Sequence, residues 1–172
     1  NNIFPILMMN FVGFEKRNPK LFDEEAKKNL GENYKRFYPS LKRLYGLKTI
    51  YSQDTRLEVA LEEIMKIIPK GYDMERMRRQ GKESKISKDN LDIVPAKDML
   101  DQNYPGVCRD QACLATSLLK LAGIDSVSVG LYKVIDNHPT PPDTAYHARV
   151  KIGSTKEIDT TWYQDAPTVL TK

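Results

Sequence analysis

Cysteine and histidine are scarce in this chain, whose 172 residues include two of each. Cys108 and Cys113 fall on one predicted helix, where a separation of five positions turns their side chains about 140° apart, so a disulfide between them is not expected. His138 and His147 lack the H-x₃₋₅-H spacing of zinc sites. The sequence therefore predicts no metal, no cofactor and no internal disulfide.

Long apolar runs are absent as well. The apolar stretch NNIFPILMMNFVGF at residues 1–14 is interrupted by Pro5 and Asn10 and is too short to cross a bilayer, so we expect no membrane span. The sequence does not begin with Met. The compartment stays open between the cytoplasm and, if an upstream signal or anchor has been removed, an extracytoplasmic location.

An excess of charge of one sign is also missing. The net charge is +4. The composition, with 40% hydrophobic and 29% charged residues, is typical of one globular domain, which we assign to residues 1–172. We divide it into an N-terminal helical part with a polar loop at 1–90 and a core at 91–165. Basic clusters at 35–43 and 75–85 are interpreted as solvated helix faces, so no nucleic-acid partner is expected. The oligomeric state stays open.

The spacing of apolar residues predicts helices first and strands later. Intervals of three and four predict helices at 22–46 with a break near Pro39, at 54–68 with Asp54 or Thr55 as N-cap, and at 95–102. From residue 126 the period changes to two, which predicts strands at 126–134, 145–152 and 156–162. The expected fold class is α+β, with N-terminal helices and a further helix packed on an antiparallel sheet.

The further helix lies in PGVCRDQACLATSLLKLAGI at residues 105–124. Pro105 and Gly106 interrupt the preceding structure, and Gly123 ends the helix in the manner of a C′ glycine. Cys108 is therefore predicted in the first turn, where the partial positive charge of the helix N-terminus lowers a thiol pKa. The alternative interpretation is a small buried apolar side chain, which is the commonest role of an unpaired cysteine.

His147 and Asp159 are predicted to meet across a hairpin. If Gly153–Thr155 form a three-residue loop, Ile152 faces Lys156, and Asp159 then lies diagonal to His147 on the same face of the sheet. A two-residue loop would place the two side chains on opposite faces. Together with Cys108 they would form a set in which histidine takes the thiol proton and aspartate orients the imidazole. His138, in the loop DNHPTPPDT, is interpreted as an exposed loop residue.

Three blocks in this order resemble the transglutaminase-like superfamily of papain-type cysteine enzymes. GVCRDQACLATSLLKLAGI is similar to the nucleophile block, AYHARVKI to the histidine block and KEIDTTW to the acid block. The resemblance implies a papain-like core with Cys108 as nucleophile, His147 as general base and acid, and Asp159 as orienting acid.

The resemblance also implies a second oxyanion donor beside the Cys108 N–H. Papain-like enzymes use a glutamine six residues before the cysteine, which is Gln102 here, with Asn103 and Tyr104 as rivals. Asp110 is expected to stabilise the helix N-terminus, and Trp162 to pack beside the site. The chain departs from the family at Arg149, where a tryptophan is usual.

The expected function is a cysteine peptidase or amidase that acts on a peptide or protein substrate through a thioester acyl-enzyme. The loops at 72–90 and 136–144 are expected to border its cleft. A protein-glutamine transglutaminase is an alternative, although the sequence has no acidic loop typical of calcium binding. A non-catalytic peptide-binding module on the same fold is another, and a nucleic-acid-binding domain is a third.

Overall fold

A computed structural model of the protein describes residues 34–47, 52–77, 93–94, 96–136, 143–160 and 168–171. Its helices are α1 Tyr34–Leu47, α2 Gln53–Ile67, α3 Ala96–Asp101 and α4 Cys108–Leu121, and its strands are β1 Val127–Asp136, β2 Asp143–Ile152, β3 Lys156–Asp159 and β4 Thr168–Thr171. His138, Trp162 and residues 22–33 of the first predicted helix lie outside the described residues, as do most of the two predicted cleft loops.

Helix α1 runs through Pro39, so the break predicted there is wrong. A proline at this position removes one backbone hydrogen bond near the start of the helix. The opposite face carries Phe37, Leu41 and Leu44, all buried, and their packing holds the helix together. The predicted cap of α2 is also wrong, because Ser52 caps it and its Oγ accepts a hydrogen bond from the Thr55 N–H.

Helix α4 has the bounds that its sequence predicts. It begins at Cys108, and Asp110 accepts a hydrogen bond from the Val107 N–H through Oδ2 at 2.9 Å. At the other end Gly123 adopts φ 82° and Ile124 N–H donates to the Leu119 carbonyl, which is the Schellman arrangement. Ile124 then packs in the core. The predicted roles of Asp110 and Gly123 in the local structure are thus confirmed.

The four described strands form one antiparallel sheet in the order β1-β2-β3-β4. Strand β4 was not predicted from the sequence. Ile152 pairs with Lys156 and Val150 with Ile158, so the predicted register of the hairpin at Gly153–Thr155 is confirmed.

The core lies between the helices and the sheet. Helix α4 packs on β1 and β2, while α1 and α2 pack against its other side. Ala148 and Val150 on β2 and Ile158 on β3 are fully or almost fully buried. The largest fully buried side chains are Phe37, Leu41, Leu44, Ile64, Ile67, Met99, Leu100 and Leu114. The architecture is α+β, and it brings the start of α4 to the strands that carry His147 and Asp159.

Candidate active site

Cys108, His147 and Asp159 form a hydrogen-bonded chain. His147 Nε2 lies 2.8 Å from Asp159 Oδ2, and the His147 ring also hydrogen-bonds to the Cys108 thiol. The three side chains come from α4, β2 and β3, which the sheet register and the packing of α4 bring together.

The register of the hairpin explains why His147 meets Asp159. The paired residues of β2 and β3 end at Val150 and Ile158, and continuing the same alternation places Asp159 opposite Arg149. Side chains two residues apart along a strand share a face, so Asp159 lies diagonal to His147. Arg149 Nε is 3.6 Å from Asp159 Oδ2, which places a cation beside the carboxylate.

The surroundings of Cys108 favour a thiolate. Burial by itself raises the pKa of the thiol, but hydrogen bonds from the His147 ring and the Ala148 backbone, the charge of His147, and a hydrogen bond from Tyr72 outweigh that effect and lower the pKa. Ala148 lies two residues beyond the last β2–β3 pair, where its N–H reaches the sulfur. Cys108 is half-buried, and its position at the start of α4 adds the helix dipole.

The surroundings of His147 favour its charged form. Its hydrogen bond to Asp159 and its hydrogen bond to Cys108 raise the pKa of the imidazole to about 9, against the opposing effect of burial. The raised pKa of His147 and the lowered pKa of Cys108 both favour transfer of the thiol proton to the ring. A thiolate beside an imidazolium is the form in which a cysteine can act as a nucleophile.

The Cys108 N–H donates to the hydroxyl of Tyr72 at 3.2 Å. Gln102 and Asn103 are both exposed in the turn after α3, and the Tyr104 hydroxyl donates to Asp73 Oδ2. The side-chain hydroxyl that contacts the Cys108 N–H is therefore that of Tyr72, a residue that the sequence did not single out.

Two backbone anchors hold Tyr72 in this position. On one side, Gln111 Nε2 donates to the Gly71 carbonyl and to the Pro105 carbonyl, both at 3.1 Å. On the other side, the Asp73 N–H donates to the Gly106 carbonyl at 2.9 Å. Tyr72 is thus held against the turn that leads into α4, although it lies 36 positions away from Cys108 in the chain.

Sequence reasoning missed Tyr72 because its partners are distant in the chain. The only local signal was KGYD, a tyrosine within a turn that follows the end of a helix. The helical pattern of 54–68 and the Cys108 turn are each readable from local spacing, whereas the contact between them depends on how the helices pack.

Cys113 differs sharply from Cys108. It is buried within α4, and burial raises the pKa of its thiol to about 12. A thiol of that kind stays protonated and unreactive near neutral pH. The chain therefore carries its own internal control for the reactivity of Cys108.

Among the described residues, no group of three or more histidine, cysteine, aspartate or glutamate side chains is arranged to hold a metal ion. None of the described helices is long and apolar enough to cross a membrane.

Comparison of the chain with protein-family models, with curated proteins and with solved structures gave no match.

Proposed function

We propose that the protein is a cysteine hydrolase that cleaves peptide or amide bonds through a thioester acyl-enzyme. The observation that carries this proposal is the hydrogen-bonded chain from the Cys108 thiol through His147 to Asp159. The order of the three sequence blocks and the nucleophile helix packed on an antiparallel sheet support a papain-like core of the transglutaminase-like type.

The proposed reaction begins with the Cys108 thiolate. It attacks the substrate carbonyl carbon, and a C–S bond forms as the carbonyl oxygen becomes an oxyanion. When the intermediate collapses, the imidazolium of His147 gives its proton to the leaving amine and the C–N bond breaks. Neutral His147 then takes a proton from water, which attacks the thioester and restores the thiolate. Asp159 holds the ring and stabilises its charge throughout.

The oxyanion needs two hydrogen-bond donors. We assign the Cys108 N–H as the first and the Tyr72 hydroxyl as the second, in place of Gln102. In the substrate-free protein the hydroxyl accepts from the Cys108 N–H, so it lies beside the N–H to which the oxyanion would bind. A carbonyl oxygen that enters there takes the N–H, and the phenol turns its proton towards the oxygen.

The test is the pH dependence of alkylation by iodoacetamide, with the modified cysteine identified by peptide mapping. We expect Cys108 to react rapidly well below pH 8 and Cys113 to stay unmodified. In a His147→Ala variant the loss of the imidazolium should slow Cys108 alkylation at pH 7 by about tenfold or more. A Cys108 as inert as Cys113 would remove the proposed nucleophile and favour a peptide-binding module.

Peptide amides, with and without a primary amine acceptor, then separate hydrolysis from cross-linking. Release of free acid in the presence of the amine supports hydrolysis. Conversion of glutamine side chains to the amine adduct would instead assign the protein-glutamine transglutaminase reaction, which shares the acyl-enzyme.

A further inference from the structure

A compact group of polar side chains lies behind Tyr72, between segment 71–76 and the turn before α4. Asp73 accepts the Tyr104 hydroxyl through Oδ2 and the Arg76 N–H through Oδ1 at 3.0 Å. The Arg76 guanidinium hydrogen-bonds to Asp110 Oδ2 and to the Tyr104 side chain. We name Asp73, Arg76, Tyr104 and Asp110 the anchor cluster.

The anchor cluster is built on a buried ion pair. The Asp110 side chain is fully buried and the Arg76 side chain is 9% exposed. Asp110 also accepts the Val107 N–H and the Val94 N–H, each at 2.9 Å. Burying charges is costly unless they are paired and hydrogen-bonded, so this arrangement has one well-determined geometry.

The anchor cluster joins the two sides of the oxyanion position. Asp73 adjoins Tyr72, whose hydroxyl would donate to the oxyanion, and Asp110 lies in the first turn of α4, whose first residue supplies the Cys108 N–H. Tyr104 connects them from the turn before α4. A shift of segment 71–76 by a fraction of an ångström would change the separation between the hydroxyl and the N–H, on which oxyanion stabilisation depends.

We propose that Tyr104 and Asp73 are positioning residues that act through Tyr72: their hydrogen bond, fixed by Arg76 on Asp110, holds the Tyr72 hydroxyl beside the Cys108 N–H, within reach of the oxyanion. This inference rests on the proposed function, since it concerns the oxyanion of that reaction. Neither Tyr104 nor Asp73 needs to touch the substrate for this role.

The experiment compares two reactions of Cys108. 4-Nitrophenyl acetate acylates the thiolate through a tetrahedral oxyanion: a C–S bond forms, the ester C–O bond breaks and 4-nitrophenolate leaves. Iodoacetamide alkylates the same thiolate without an oxyanion. The ratio of the two second-order rate constants therefore reports oxyanion stabilisation and is insensitive to the fraction of thiolate.

We expect Tyr72→Phe to lower this ratio by about tenfold or more, as for the loss of one oxyanion donor. Tyr104→Phe removes one hydroxyl and keeps the ring, and it should lower the ratio several-fold. The double variant should match Tyr72→Phe alone, because residues that act through one group are not additive. Tyr45→Phe, which removes the hydroxyl of a partly buried tyrosine on α1, is the matched control and should leave the ratio unchanged.

Two outcomes would overturn the inference: an unchanged ratio for Tyr104→Phe, whether or not both rate constants fall together, or additive losses in the double variant. If Tyr104→Phe does not fold, Asp73→Asn tests the same link, since asparagine can still accept the Arg76 N–H while the bond to Tyr104 is weakened. A wild-type protein whose Cys108 is not acylated would refute the proposed function, and the inference with it. If wild-type Cys108 is acylated but the ratio is unchanged in Tyr104→Phe and in Asp73→Asn, the inference alone is refuted.

Discussion

Asp159 at the end of β3 lies 2.8 Å from Nε2 of His147 in β2. This hydrogen bond is the largest cause of the raised pKa of His147. Much of the proposed thiolate–imidazolium pair therefore depends on one carboxylate charge at the end of an inner strand.

Replacement of Asp159 by asparagine should lower activity far more than stability. Asparagine is nearly the same size, but it removes the negative charge that stabilises the imidazolium, so the His147 pKa falls and Cys108 acylation slows by at least about tenfold. Acylation by 4-nitrophenyl acetate and unfolding in urea are the two measurements. Asp125→Asn, at an exposed site before β1, serves as the control. An unchanged acylation rate in Asp159→Asn would remove Asp159 from the mechanism.

The pH dependence of stability should reveal the ion pair. The pKa of His147 is raised to about 9, so its stabilising contribution is complete below pH 6.5 and is lost as the pH rises through about 9. The Cys108 pKa is lowered from 9.0, so its contribution is complete above pH 9 and is lost as the pH falls through the lowered value. Between pH 6.5 and 9 the two contributions to the free energy of unfolding change in opposite directions. The folded pair holds one proton on His147 and the unfolded pair holds one on Cys108, so this pair makes wild-type stability nearly independent of pH in that range.

Cys108→Ala removes one of these two trends. His147 keeps its bond to Asp159, so its pKa stays raised. The free energy of unfolding of this variant should therefore fall relative to wild type as the pH rises from 6 to 8, by up to about 1 kcal/mol per pH unit. Urea unfolding at several pH values measures the difference. Cys113→Ala, which removes a buried thiol with a pKa of about 12, should run parallel to wild type over this range. A parallel curve for Cys108→Ala would mean that His147 is neutral in the folded protein.

The parts of the site that could be predicted from the sequence are those fixed by local rules. A two-residue alternation and a three-residue turn determined the register that joins His147 to Asp159, and a helix-terminating glycine with its following isoleucine marked the end of α4. Tyr72 escaped prediction because its position results from hydrogen bonds of Gln111 and Asp73 to a distant turn. Gln102, chosen by a fixed offset from the cysteine, lies exposed in the turn after α3 and stays a prediction.

A matched pair of glycine variants tests the packing of the turn before Cys108. Gly106 and Gly153 have similar left-handed conformations, with φ 68° and 59°. A Cβ on Gly106 would lie 2.7 Å from Asp110 Cβ, whereas a Cβ on Gly153 has no heavy atom within 4 Å outside its chain neighbours. Gly153→Ala should cost about 1 kcal/mol from backbone strain alone. Gly106→Ala should cost at least about 2 kcal/mol more, because Asp110 and its bond to Arg76 must shift. Equal losses in urea unfolding would mean that the turn moves freely away from α4.

The buried ion pair between Arg76 and Asp110 should contribute more to the free energy of unfolding than an ion pair whose arginine is exposed. Arg76→Met leaves the fully buried Asp110 carboxylate without its cation, and breaking such a pair from one side costs about 3–5 kcal/mol. The comparison is Arg43→Met, which breaks the pair with Glu63 on α2 from an arginine side chain that is 53% exposed. Glu63 is itself buried, with 9% of its side chain exposed, but it keeps Lys66 as a cation at 3.3 Å, so a smaller loss of about 1 kcal/mol is expected. Urea unfolding at pH 7 measures both variants. A loss in Arg76→Met as small as that in Arg43→Met would show that the Val107 and Val94 N–H groups are enough to stabilise the Asp110 carboxylate. It would also mean that Arg76 does not hold segment 71–76 against α4.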